Sequence, residues 1–583
     1  MASSTTPFLF SSSLLLAQRS PSLTFSFSLR FSSEESNRIV GTDRKTRTAH
    51  CRRRDLMKRD SSGAAADPGH PSLCFHREIL IVQKWTQIRQ DFLSCLTQSD
   101  NGIVWKEPRK LWRYSQEALG KWILSQTARA GPQVDMRAHH FFPSAELVAS
   151  FPGGQTYDEQ LIRDLTLKSN GADTPDVAGR IQRLVRSFGL ARRCAAAQAA
   201  VAEQLAAVTP RGAYAPRLRR MEEDAPDRNG FQRRVRGPLA VFGVEPVRGA
   251  RGPRLPPPAY IPWAAYEKLR RSYKALYEAR DRAAYPQLAA EELFLRRAAV
   301  VAWRYEGCLA TGSLQLCADT SLKQSLHASG YLVLDLCASP INAYMGVPCA
   351  GTFASSRHRE QSSLDVEEQP NYFCSAFYDT DVYFGSLGSV LQLRPLELLR
   401  SKEVNPAGRS LLLTYDVPYD EDLCEQMFTK LIRDMAEAER ARREAPAGAP
   451  SIDYVLVLPL WWNIQLPIAK QLFQDGTAAP ATAGLAALLE KNASVTDEGY
   501  RVPYAWPTQL PSACQPPGAP AEANWACFDG VFVGSGYRYF STQTNQWVED
   551  VTSTEVIGLA EPTGDGTHRL QTALRTFYGV QVD

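Results

Sequence analysis

The stretch from residue 410 to 458 constrains the fold more than any other part of the chain. An apolar run, Ser410-Leu411-Leu412-Leu413-Thr414-Tyr415, stops at the polar turn Asp416-Val417-Pro418-Tyr419. Leu423, Met427, Leu431 and Met435 then recur every four residues, the spacing of one helical face, in a segment expected to run from 421 to 443. Asp420, Glu421 and Asp422 stand at its start, where negative charge suits the helix dipole. A second apolar run occupies 454–458. Strand, loop, helix, strand is a βαβ unit, which implies a parallel sheet with ligands beyond the carboxyl ends of its strands. Asp416 is expected at one such end. The apolar run 331–336 leads into Ala338-Ser339-Pro340-Ile341-Asn342, which is expected at another.

The tetrapeptide 416–419 has a plain reading as a turn, because Asp, Pro and Tyr are common in loops. It also suits methyl transfer to the exocyclic amine of adenine. That amine is a weak nucleophile, since its lone pair is delocalised into the ring. Two acceptors, the Asp416 side chain and the Val417 backbone carbonyl, would steer the lone pair. Pro418 would fix the loop, and Tyr419 would offer a flat face to an unstacked base. No metal is called for, because a sulfonium donor brings its own leaving group.

The blocks around this turn carry a resemblance. Arg304-Tyr305-Glu306 and Gly312-Ser313-Leu314-Gln315 come first, then Ala338-Ser339-Pro340-Ile341-Asn342. Cys374-Ser375-Ala376-Phe377-Tyr378-Asp379-Thr380-Asp381-Val382-Tyr383-Phe384-Gly385-Ser386 follows, then the tetrapeptide, then a run ending Pro459-Leu460-Trp461. In this order they resemble the phosphorylated-CTD-interacting factor family, the cap-specific adenosine N6-methyltransferases, over the last half of the chain. The resemblance implies a Rossmann-like methyltransferase core, S-adenosylmethionine as cofactor, and capped RNA as substrate, methylated at the 2′-O-methyladenosine beside an mRNA cap. It implies Asp416, Val417, Pro418 and Tyr419 as the catalytic segment. Ala338, Ser339, Pro340, Asn342 and Asp416 would bind the cofactor, and Asp379, Asp381, Phe384 and Trp461 would shape the substrate pocket. The structural alternative for 379–384 is a turn with a packed aromatic. The family also implies a nuclear location and the RNA polymerase II tail as a partner.

Two departures matter. The family pattern at the tetrapeptide is Asn-Pro-Pro-Phe, so Val417 replaces a proline. Pro418 still biases Val417 toward an extended conformation. A segment near 346–370 is inserted between two of the blocks and reads as a loop near the site. Two alternatives follow: a catalytically inactive RNA-binding pseudo-methyltransferase, or an organellar adenine N6-methyltransferase with a different nucleic-acid target. Trp85 and Trp105 are spaced as in the WW module that this family often carries. The sequence between them is amphipathic helix, so no WW module is expected.

The rest of the 583 residues divides by composition. Residues 1–70 lack acidic residues as far as Ser33, are rich in Ser, Thr, Leu and Phe, and become basic from Arg44 to Arg59. They read as a disordered or transit-like segment, plastid-like in composition. Residues 71–209 read as helical, with Ile79, Val82, Trp85, Ile88 and Phe92 on one face. Residues 210–262, rich in Arg and Pro, read as a linker or loop whose arginines would meet RNA phosphates or solvent. Residues 263–583 read as the methyltransferase domain, with a hairpin turn at Gly534-Ser535-Gly536. The fold class expected is thus α/β with a preceding helical domain. The 12 cysteines are scattered with no Cys-x-x-Cys pair, which argues against a disulfide framework or a zinc site and fits a reducing compartment. The net charge of +4 neither requires nor forbids nucleic acid, and no apolar run is long enough to span a bilayer.

Overall fold

The computed structural model describes residues 69–130, 134–135, 140–171, 175–208, 214–225, 236–246, 255–309, 316–317, 320–345, 372–416, 420–446, 448–459, 531–533, 539–541, 546–548, 554–559, 569–570 and 572–574. The fold is mixed α/β, a helical region followed in sequence by three small sheets and further helices. The helices of that region are α1 (Pro71–Thr97), α2 (Leu111–Ala128), α3 (Ala145–Ala149), α4 (Glu159–Leu167), α5 (Pro175–Phe188) and α6 (Leu190–Ala206). Ile79, Val82, Trp85, Ile88 and Phe92 are all buried on α1, as their spacing requires. Trp85 donates its indole N–H to the Cys308 carbonyl at 2.9 Å, and Trp105 donates to that of Leu96 at 3.1 Å. Both tryptophans therefore belong to the helical packing.

Residues 210–262 differ from the linker expected. Their described part forms an antiparallel sheet, β1 (Tyr214–Met221), β2 (Leu239–Pro246) and β3 (Ala259–Pro262), in the order β1-β2-β3. Arg217, Arg219 and Arg220 are exposed on β1, and Leu239, Ala240, Val241 and Phe242 are buried on β2. Pro216 is tolerated because β1 is an edge strand. Arg217, Arg219, Arg220 and Pro216, which suggested a loop, thus sit on the exposed edge strand of a short sheet, and Arg211, Arg233 and Arg234 lie outside the described residues. The charged segment after it forms α7 (Trp263–Leu276), α8 (Glu278–Ala284) and α9 (Ala290–Ala302), the last followed by a π-helical turn, Trp303–Cys308.

The second half supplies β4 (Leu316–Cys317), α10 (Thr320–Ala328), β5 (Leu332–Asp335), α11 (Tyr378–Asp381), α12 (Pro395–Arg400), β6 (Leu411–Asp416), α13 (Glu421–Arg443) and β7 (Ile452–Pro459). The tail adds β8 (Val531–Val533), β9 (Tyr539–Ser541), β10 (Gln546–Val548) and β11 (Thr554–Leu559). The main sheet runs β5-β6-β7-β11-β8. Its first three strands are parallel, with Asp335 opposite Thr414 and Asp416 opposite Val457. β11 is antiparallel to both of its neighbours. Leu423, Met427, Leu431 and Met435 are buried on α13, the crossover from β6 to β7. Gly534-Ser535-Gly536, expected as a hairpin turn, lie outside the described residues; β8 before them pairs with β11, and β9 after them pairs with β4 and β10 in a separate three-stranded sheet.

One continuous apolar core runs from α1 through β2 and α9 to Phe377, Tyr383 and Phe384. A buried ionic cluster crosses it. Arg304, on the π-helical turn, holds Glu78 of α1 through two bonds of 2.8 and 2.7 Å, and Asp379 of α11 through two of 3.1 and 3.2 Å. Arg77 adds a 3.1 Å bond to Asp379, and His140 lies 3.3 Å from the same carboxylate. Burial alone would raise the Asp379 pKa, but Arg304, His140 and Arg77 outweigh it and hold the carboxyl well below its ordinary range. Burial, helped by Arg77, lowers His140 to about 4, so it is neutral at neutral pH. Asp381 accepts the Tyr305 hydroxyl at 2.6 Å and has no buried cation bonded to it, so burial pushes it up to about 7.

Arg304→Met leaves two buried carboxylates facing Arg77 and should cost about 3–5 kcal/mol of stability, read by urea denaturation. A loss within the scatter of surface substitutions would refute a central role for this guanidinium. Asp381 makes an opposite, pH-dependent prediction. Its folded pKa is raised, so its favourable contribution is present below the unfolded value and is lost as pH rises through about 7. Asp381→Asn removes that loss. The variant's stability relative to the native chain should therefore rise between pH 4 and 7, by up to about 4 kcal/mol. The His140 contribution, which is lost as pH falls from 6.5 toward 4, is common to both chains and cancels. A difference independent of pH would show that Asp381 titrates normally.

Candidate functional site at the carboxyl ends of β5 and β6

Asp335 ends β5 and is fully committed. It pairs with Lys323 of α10 at 2.7 Å, accepts the Thr414 hydroxyl at 2.5 Å and accepts the Tyr344 backbone N–H at 2.6 Å. Burial would raise its pKa, yet Lys323 and these bonds hold it below the ordinary value. It is therefore an ionised strut that ties α10, β6 and the following loop to the strand end.

That loop is stiff because it bonds to itself. Asn342 Oδ1 accepts the Ser339 N–H at 2.6 Å and its hydroxyl at 3.0 Å. The Ser339 carbonyl accepts the N–H groups of Asn342 and Ala343 at 3.2 and 2.9 Å. The side chains expected to touch a cofactor, Ser339 and Asn342, thus shape the turn, with Pro340 buried between them. Lys268 of α7 clamps the loop from outside, donating to the Ala343 carbonyl at 2.9 Å and to that of Ile341. Nothing in the spacing of Lys268 on its helix points to a partner more than seventy positions away.

The block at 372–388 packs against the same strand end. Cys374 donates its N–H to the Asp335 carbonyl at 2.7 Å and accepts that of Ala338 at 3.0 Å. Ser375 and Ser386 share a hydroxyl bond of 2.7 Å. Within this block Asp379 and Asp381 face the ionic cluster and Tyr305, and Phe384 packs on Tyr273 with ring centroids 6.3 Å apart. Asp381 and Phe384 are buried, and the carboxylate of the half-buried Asp379 is turned inward.

Asp416 ends β6, the middle strand of the parallel trio, and is half-buried. Val417, Pro418, Tyr419 and Trp461 lie outside the described residues. Burial, and then the Asp416 carboxylate, push the Cys337 thiol well above its usual pKa. Cys337 is thereby kept protonated and is not a thiolate nucleophile. Beyond the tetrapeptide, Asp420 caps α13 by accepting the Leu423 N–H at 2.7 Å and pairs with Arg129, just past the end of α2, at 2.9 Å. Segments that precede the sheet in sequence therefore reach both strand-end connections, Lys268 of α7 at one and Arg129, past the end of α2, at the other. Sequence reasoning found neither cation.

Among the described residues no group of three His, Cys, Asp or Glu side chains is placed to hold a metal ion, and no helix is long and apolar enough to cross a membrane. No curated protein matches the chain. The family model described as Phosphorylated CTD interacting factor 1 WW domain matches residues 268–475. The match begins at Lys268 itself and takes in β5, β6, α13 and β7, so it covers the strand ends and the loops around them. In the described residues of that span the chain forms helices and strands, among them the parallel trio β5-β6-β7. Over that span, about a third of the chain, the sequence is similar to the phosphorylated CTD interacting factor 1 family.

Proposed function

We propose that the chain is an S-adenosylmethionine-dependent adenosine N6-methyltransferase acting on the 2′-O-methyladenosine beside an mRNA cap. The observation that carries this is the position of Asp416: a half-buried carboxylate at the carboxyl end of the middle parallel strand, within the span that matches the family. In open parallel sheets ligands collect at that edge. A Rossmann-like core is the reading best supported by three parallel strands joined in series, with α13 as the crossover from β6 to β7.

The donor set suits a nucleoside cofactor. Asp416 offers carboxyl oxygens as acceptors at the strand end. The Tyr344 hydroxyl is buried with no hydrogen-bond partner, leaving a polar group at the end of the β5 loop. Ala338, Ser339, Pro340 and Asn342 would hold the cofactor through the shape of their self-bonded turn. When bound, S-adenosylmethionine supplies an activated methyl group. The work left to this chain is to accept from the adenine amine with Asp416 and the Val417 carbonyl, to stack the base on Tyr419, and to keep the loop fixed with Pro418. Asp379, Asp381 and Phe384 would act from behind, as the packed base of the pocket, with Trp461 as a further wall. Capped RNA would be the substrate, and the polymerase tail a partner by family.

Asp416→Ala should lower methyl transfer at least ~100-fold without loss of fold, because it removes a preorganised acceptor at the reacting amine. Asp416→Asn keeps a carbonyl acceptor and should stay within ~10-fold of the native rate. The assay is transfer from labelled S-adenosylmethionine to short RNAs beginning with capped 2′-O-methyladenosine, with uncapped and internal-adenosine controls. Normal activity of Asp416→Ala would overturn the assignment. Transfer to no RNA, with cofactor still bound, would favour an inactive RNA-binding relative. The N-terminal composition supports a second reading, an organellar adenine N6-methyltransferase. Plastid import of the full-length chain, lost on removal of residues 1–59, would favour it over a nuclear cap enzyme.

A further inference from the structure

We propose that Arg129 is a positioning residue for the methyl-transfer motif, acting through Asp420; the inference rests on the methyltransferase reading above. Asp420 follows the tetrapeptide directly and turns the chain into α13. One carboxylate oxygen, Oδ1, accepts both the Leu423 N–H and Arg129 Nη2. The connection that leaves β6 at Asp416 is therefore pinned on its far side, by a side chain from the helical region 291 positions earlier.

Arg129 is itself held on several sides. Its guanidinium lies over the Tyr157 ring at 3.9 Å, and its Nε donates to the Ser125 hydroxyl at 3.1 Å. Tyr157 is fixed in turn by Gln126, which bonds both its N–H and its carbonyl. Next to Arg129, the Ala128 carbonyl accepts the Ser389 hydroxyl at 2.6 Å, so the end of α2 is tied to the catalytic half beside the pair.

The pair is not explained as a source of stability. A half-exposed Asp or Ser caps a helix without any cation. Here the carboxylate and the guanidinium are almost fully buried, at 5% and 1% side-chain exposure. The desolvation of two charges at least matches their attraction in such a setting. Arg129 Nη1 and Asp420 Oδ2 remain without a protein partner, so the geometry is a single contact and not a two-bond fork. What the pair does secure is place: it fixes the distance between the helical region and the first turn of α13.

The test compares the native chain with Arg129→Met/Asp420→Ser and with Arg129→Lys. The double variant removes both charges together and leaves serine as the helix cap, so it avoids stranding a buried ion. Three quantities are measured: melting temperature with S-adenosylmethionine affinity, kcat and KM on capped RNA, and amide exchange across the first turn of α13. The double variant should keep its melting temperature and cofactor affinity but lose ~10–100-fold in kcat, the usual consequence of misplacing reacting groups by about 1 Å. KM for RNA should hold, and exchange at the start of α13 should quicken. Arg129→Lys, which keeps a cation on Asp420, should recover most of kcat. Unchanged kcat in the double variant, or a kcat loss that merely follows loss of folded protein, would overturn the proposal. Should the native chain transfer no methyl group, the methyltransferase reading falls. Amide exchange then decides the positioning alone: faster exchange sustains it, and equal exchange overturns it.

Discussion

Arg304 is the interaction on which the assembly of this chain depends. Its guanidinium is wholly buried between a carboxylate of the first helix and a carboxylate of the block that lies against the strand ends. A buried charge without partners would cost several kcal/mol, so the two carboxylates and the cation can be buried only together. The same constraint brings α1, the π-helical turn and α11 to one point. Phe377 lies beneath the guanidinium at 4.9 Å and stacks on Phe141 from the helical region, so apolar and ionic contacts cross the junction at the same place.

From that junction the geometry of the strand ends follows. The 372–388 block is held by Asp379 on one side and bonded to β5 through Cys374 on the other. Lys268 and Arg129 then reach past it to the two loops that flank the sheet edge. Lys268 bonds two carbonyls of the first loop, and Arg129 bonds the Asp420 oxygen that also caps α13. The strand ends are thereby framed by helices that precede the sheet in sequence. The parallel strands taken alone would lack those contacts.

Local pattern made some of this legible and long-range pairing hid the rest. α13 could be read residue by residue because Leu423, Met427, Leu431 and Met435 repeat at helical spacing and Asp420 is a capping residue. The parallel trio followed from apolar runs separated by that helix. The sheet β1-β2-β3 was hidden because its edge strand carries three exposed arginines and a proline, which mimic a solvated linker. Lys268, Arg129 and Arg304 have partners between 73 and 291 positions away, or on helices with no periodic mark of the contact. The family blocks pointed at Asp379 and Asp381 as notable. Only their surroundings distinguish an ion held below its usual pKa from one pushed up to about 7.

The pairing of β7 has a consequence for how the chain is made. One edge of β7 is covered by β6, which is synthesised before it, but the other is covered by β11, which ends at Leu559. A ribosome must therefore add about a hundred residues while an apolar strand edge stands open, and open edges of this kind invite pairing with other chains. The charged α13 crossover and the helical region emerge earlier and can fold first. β11 closes that edge by pairing with β7 on one side, and it carries β8 on the other. Truncations within the tail should be harmful out of proportion to the few residues they remove, because they leave that edge permanently unsealed.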